Sequence, residues 1–172
     1  LWQTVPTSKL KLKRAGSSSA TPAQLVGGSA GQVPVIVCDP AFESNASGVN
    51  GDYVGGYGFF NHAGGKITYG GLVLNVQSGK NANVNNFNAT DLAILMAHEM
   101  GHVLGLGHSE YHPALMYYDI SSKENLALSQ DDMDGISYLY PRDELKDGMY
   151  GCGRTTSPMP PSSKALTITL WL

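Results

Sequence analysis

An α+β domain is what this sequence predicts, and three observations carry that expectation. Up to Val76 the apolar residues fall in short runs or in period-two alternation, broken by glycine- and asparagine-rich segments, which is how strands and their loops read. From Asn88 the spacing becomes helical, so strands come first along the chain and helices second. The 172 residues are 42% hydrophobic and 9% aromatic, enough for one ordinary core and too few for two independent domains.

Taken in order, Lys9 to Arg14 alternates charge and leucine, the pattern of an outer strand with one wet face. Gly16 to Gly31 is rich in Ser, Ala and Gly and reads as a loop or a weak turn of helix. Val33 to Cys38 suits a buried strand that starts just after Pro34. Asn45 to Gly65 reads as loop, short strand, loop around Tyr57, Phe59 and Phe60. Lys66 to Val76 is the strongest strand candidate, with Gly70-Gly71 as a candidate bulge. Asn88 can cap a helix that carries Leu92, Leu95 and Met96 and stops at Gly105. Ser129 and Asp132 form an Asp version of the capping box for a last helix, striped by Met133, Ile136, Leu139 and Tyr140 and ended by Pro141. Residues 1–152 are therefore expected to form the folded domain, and residues 153–172 a proline-rich linker with an apolar tail.

The chemistry lies in His98-Glu99-Met100-Gly101-His102-Val103-Leu104-Gly105-Leu106-Gly107-His108, which gathers three of the five histidines into eleven residues. On a helix, His98 and His102 lie on one face about 6 Å apart along the axis, able to bind one metal ion together. Gly105 can take the left-handed conformation that turns the chain and brings His108 round as a third nitrogen ligand. Three neutral imidazoles with an open fourth position suit a catalytic zinc. Such a metal lowers the pKa of its bound water, and Glu99 is placed to take the proton before attack on a peptide carbonyl.

With Met116 in Ala114-Leu115-Met116-Tyr117, eight residues past His108, this sequence resembles the metzincin clan of zinc peptidases, whose Met-turn forms an apolar floor under the metal. Ser109 after the third histidine, the Ala-Leu-Met-Tyr turn and Leu128-Ser129-Gln130-Asp131-Asp132 followed by Gly135-Ile136 resemble the matrixin (matrix metalloproteinase-like) family within it. The resemblance implies a metzincin-like catalytic domain. That is a twisted, mixed and mostly parallel sheet packed on the zinc helix, with a small C-terminal subdomain carrying the Met-turn and a last helix. It also implies a zinc endopeptidase acting on extended protein or peptide substrates, bound along an edge strand expected near Lys66 to Val76. The side chain after the scissile bond would enter a pocket between the zinc helix and Met116 to Leu128.

Departures from the family pattern sharpen the expectation. Tyr118 stands where matrixins have proline; astacin-like peptidases carry a tyrosine there that supports the oxyanion, so Tyr118 is a candidate helper, and an astacin-like enzyme is the nearer rival reading. With only His62 and His112 left over, the family's second, structural zinc cannot be built in the same way, and one catalytic zinc is expected. The Asn50-Gly51-Asp52 loop could hold calcium, although no EF-hand spacing supports it. Trp2, Leu10 and Leu12 resemble the end of the family's first helix and its second strand, so the chain reads as a processed or trimmed product. A rival from another class is a zinc-bearing but proteolytically idle surface or adhesion module, against which the intact Glu99 argues.

Composition bounds the setting. Only 15% of residues are charged, with a net charge of −3, which offers nothing to a nucleic acid and suits a secreted or extracellular protein, expected to be a monomer. Cys38 and Cys152 lie too far apart for a CxxC motif and fit one long-range disulfide or two unpaired thiols. Leu166 to Leu172 could begin a membrane anchor, or be a plain packed or disordered tail; as it stands it is far shorter than the roughly twenty residues that span a bilayer.

Overall fold

A computed structural model describes residues 1–31 and 33–142, together with the backbone of residues 167–171. The alternating lysines and leucines form β1 (Lys11–Gly16), at one edge of the sheet as expected. Thr21 caps the short helix α1 (Pro22–Val26) with a complete capping box, and β2 (Val35–Asp39) starts directly after Pro34. A further short helix, α2 (Phe42–Asn45), follows.

The aromatic cluster is not a short strand between loops. It is β3 (Gly56–Ala63), eight residues long, running antiparallel beside β4 (Lys66–Asn75). The Gly70-Gly71 pair is not a bulge: both residues keep regular register with Phe60 and Phe59, and the irregularity falls at Asn61/His62 instead. Their missing side chains serve packing, since a Cβ at Gly71 would lie 2.7 Å from Leu25 Cδ1 and from the Val35 carbonyl.

The sheet order is β1-β5-β2-β4-β3, where β5 is Thr167–Trp171; every strand is parallel except the edge strand β3. Part of the expected tail lies in the sheet. Thr167–Trp171 pairs with β1 along its whole length and meets β2 at Val35↔Trp171. Residues 143–166, including most of the expected linker and Cys152 with its expected pairing to Cys38, lie outside the described residues; Cys38 is exposed on β2. No helix among the described residues is long and apolar enough to cross a membrane.

The expected edge strand also moves. β4 lies inside the sheet between β2 and β3, and its seven C-terminal residues are buried, as a continuous apolar run should be in a central strand. On this side of the sheet the edge belongs to β3. Strand alternation splits the core in two. Leu72 and Leu74 face the long helix α3 (Ala89–Val103), with Ile94, Leu95, Val103, Leu104, Leu115 and Ile136. Val35, Val37, Tyr69 and Val73 face the opposite way and pack with Leu25 and Phe42.

Candidate active site

The site is built on α3, and its local chemistry explains both ends of that helix. Asn88 Oδ1 accepts from the backbone N–H groups of Thr90 (2.8 Å) and Asp91 (2.9 Å), satisfying donors that the first turn leaves open. At the other end Gly105 adopts φ +99°, and the N–H groups of Leu106 and Gly105 donate to the carbonyls of Gly101 and His102. This is the paired closure of a Schellman turn, and it reverses the chain toward His108.

The same turn orients a ligand. The Leu106 carbonyl lies 2.9 Å from His102 Nδ1, and the Leu115 carbonyl 2.7 Å from His98 Nδ1. A carbonyl can only accept, so each Nδ1 carries the proton and each Nε2 keeps its lone pair free. The ring nitrogens of His98, His102 and His108 converge within 4.8 Å of one another, with the Nε2 atoms of His102 and His108 3.1 Å apart. Burial pushes the His98 imidazolium down to about 4 and lowers that of His102 as well, so both rings are neutral at ordinary pH. Two neutral imidazoles with fixed tautomers, joined by the ring of His108, fit a zinc ion. Among the described residues this is the group of His, Cys, Asp or Glu side chains that converges for a metal; His62 and His112 stand apart from it, His62 near Phe60 and His112 against Tyr117.

Glu99, only 7% exposed, accepts a 2.6 Å hydrogen bond at Oε2 from the backbone N–H of Gly58. Burial raises its carboxyl to about 7 against the opposing pull of that bond. Gly58 has to be glycine here, because a Cβ would overlap the backbone carbonyl of Glu99. Sequence reading missed Gly58, yet a glycine inside an aromatic strand is the signal that another backbone comes close.

Met116 is buried at 2% exposure, and its sulfur occupies the space that a Cβ on Gly101 would need. The glycine between the two helical histidines and the methionine of the turn thus fit one another. Trp2 packs on the same spot and donates its Nε1–H to the Ala97 carbonyl at 2.8 Å.

Asp132 does more than cap. It is 2% exposed and accepts from Ser129 and also from the backbone N–H groups of Leu115 (2.7 Å) and Met116 (2.9 Å). Since the Leu115 carbonyl holds His98, this carboxylate ties α4 (Gln130–Leu139) to the ligand through one residue of backbone. Its local spacing marks only the cap; the contacts 16 and 17 residues away leave no pattern in the sequence. His108 sits on the loop and is fixed by its neighbour, for Ser109 donates its N–H to Met116 O at 2.8 Å and its hydroxyl to Asp131 at 2.6 Å.

A cavity of about 490 Å³ opens between α3 (Asp91, Ile94, Leu95) and the segment after the Met-turn (Tyr118 to Ser121, Lys123), with Tyr53, Gly55 and Phe87 completing it. Tyr118 is 66% exposed, stacks on Tyr117 at 4.5 Å and forms part of this wall. At the loop expected to offer calcium a site, the positive charge is already supplied by the protein. Lys80 Nζ lies 2.8 Å from Glu43 and 3.5 Å from Asp52, and it holds the Glu43 carboxyl below its ordinary range.

Compared with known proteins, residues 41–141 match the family model described as Matrixin, peptidase M10. The chain is 42% identical over 71 residues to metalloendoproteinase 2-MMP of Arabidopsis thaliana, covering 41% of this chain and 17% of that protein. It is 54% identical over 54 residues to stromelysin-1 of Rattus norvegicus (30% and 11%), and 47% identical over 55 residues to interstitial collagenase of Bos taurus (32% and 12%). The matched stretch spans less than a fifth of the length of each of these curated relatives.

Proposed function

This chain belongs to the matrixin family, and on that premise we propose that it is a zinc-dependent endopeptidase that hydrolyses peptide bonds of extended protein substrates. The observation that carries the reading is the placement of Glu99: its carboxylate is bonded to the backbone of β3, an edge strand of the sheet, beside three converging imidazoles. A single zinc ion held by His98, His102 and His108 would acidify a water and polarise the scissile carbonyl.

The protein's own groups do the rest. A substrate strand pairs with the edge of β3, which brings one of its carbonyls to the histidines and Glu99. Glu99, its carboxyl near 7, is matched to accept a proton from water and return it to the departing amine. The side chain that follows the scissile bond enters the 490 Å³ cavity, whose walls of Phe87, Ile94, Leu95 and Ile120 favour a large apolar residue. Met116 supports the ligands from below through Gly101. Tyr118 serves as cavity wall in this reading, since its exposed ring is engaged with Tyr117. The thinly charged composition supports work outside the cell.

The test is digestion of an extended peptide library by the zinc-loaded protein, with the products mapped by mass spectrometry. Cleavage before large apolar residues, abolished by a zinc chelator and restored by zinc, is expected. A zinc-loaded, folded protein that cleaves nothing would instead favour the idle surface module.

A further inference from the structure

The outer wall of the cavity has little secondary structure to hold it. Residues 105–129 contain no helix or strand, and the backbone hydrogen bond within the wall is the local one from Lys123 N–H to the Ile120 carbonyl, 3.1 Å. Asp119 adds a turn by accepting from the Ser121 N–H at 2.9 Å, again inside the wall. Apart from Ile120, which packs against the core, the hydrogen bond that reaches out of the wall to another segment comes from the Lys123 side chain. Lys123 lines the cavity, and its ammonium donates to the His112 carbonyl at 2.8 Å and sits 5.8 Å from the centre of the Tyr117 ring. His112 belongs to the loop that follows His108, so this one side chain joins the far end of the wall to the segment that carries the third histidine.

We propose that Lys123 is a specificity-determining residue: by pinning the cavity wall to the His112 loop it limits the size of the side chain accepted after the scissile bond. The inference rests on the endopeptidase reading above. An aliphatic stem could form the wall without an ammonium, but a methionine in its place could neither donate to the His112 carbonyl nor sit as a cation over Tyr117. Arginine keeps both abilities.

The experiment compares wild type, Lys123→Met and Lys123→Arg on two peptides that differ only in the residue after the scissile bond, leucine in one and tryptophan in the other. The quantity read is the ratio of kcat/KM for tryptophan to that for leucine, which is independent of how much active enzyme each preparation holds. Lys123→Met is expected to raise the ratio about tenfold, the scale on which pocket fit discriminates between apolar side chains. Lys123→Arg is expected to restore the wild-type ratio. An unchanged ratio in Lys123→Met, with wild type cleaving the leucine peptide, overturns the role of Lys123 and leaves the endopeptidase reading standing. Failure of zinc-loaded wild type to cleave either peptide overturns that reading itself.

Discussion

On the α3 face of the sheet four polar side chains of the site hold backbone partners: Glu99 on Gly58, His98 on Leu115, His102 on Leu106, and Asp132 on Leu115 and Met116. On the opposite face the hydroxyls of Tyr57 and Tyr69 are buried without one, within a ladder of rings that runs Phe42, Tyr57, Phe59, Tyr69 at 5.6 to 6.0 Å. The α3 face directs its hydrogen bonds to the ligands and the base; on the other, Asp39 and Asn75 bond at the strand ends, while the rings between them are held by apolar area that tolerates a misfit. The difference teaches where a small change costs chemistry and where it costs only stability.

The largest effect is expected at Gly58. A Cβ there overlaps the Glu99 carbonyl, so Gly58→Ala has to part β3 from α3 and displace the base. Misplacement on the scale of an ångström costs about two orders of magnitude in rate, to be read as kcat/KM per zinc-loaded enzyme. Activity near wild type would mean that the close approach of β3 is not needed for catalysis.

Next comes the pH response of the metal-free protein. His98 is depressed from 6.5 to about 4, so its contribution to stability is lost as pH falls through that window. Glu99 is raised from 4.5 to about 7, so its contribution is full at low pH and lost as pH rises through its window. The two slopes oppose each other over most of the acid range. Metal-free Glu99→Gln removes one of them. Relative to wild type it should lose about 3 kcal/mol more as pH falls from 6.5 to 4, seen in denaturant melts at several pH values. Parallel pH profiles for the two proteins would break the account of their burial.

Asp132→Ala leaves the N–H groups of Leu115 and Met116 buried without their acceptor. A loss of about 2 kcal/mol is expected, with faster zinc release than wild type because His98 is held through Leu115. A stability loss without any change in zinc release would confine Asp132 to helix capping. The smallest effect belongs to the rear face: Tyr69→Phe removes a buried hydroxyl that has no partner. Stability should stay within about 1 kcal/mol of wild type, or rise, with kcat/KM unchanged.

Much of this was legible in the residues because the signals are local. The caps at Asn88 and Ser129, the left-handed Gly105 and the i, i+4 histidines each follow from spacing along a few residues. What did not read through depends on neighbours distant in sequence. The apolar run of β4 reports burial without saying which strands flank it, so the expected edge falls one strand away, at β3. The tail at Thr167–Trp171 carries no mark of its place between β1 and β2. Asp132 and Lys123 act across 11 to 17 residues, through backbone atoms that any residue would offer.

The central claim is that Glu99 acts as the base beside a zinc bound by three histidines, and it is tested most directly by measuring zinc content and peptide cleavage together for wild type and Glu99→Ala. About one zinc per chain is expected in both, since none of the three ligands is touched. Cleavage by the variant should fall by about two to four orders of magnitude; equal cleavage by the two proteins would contradict the account.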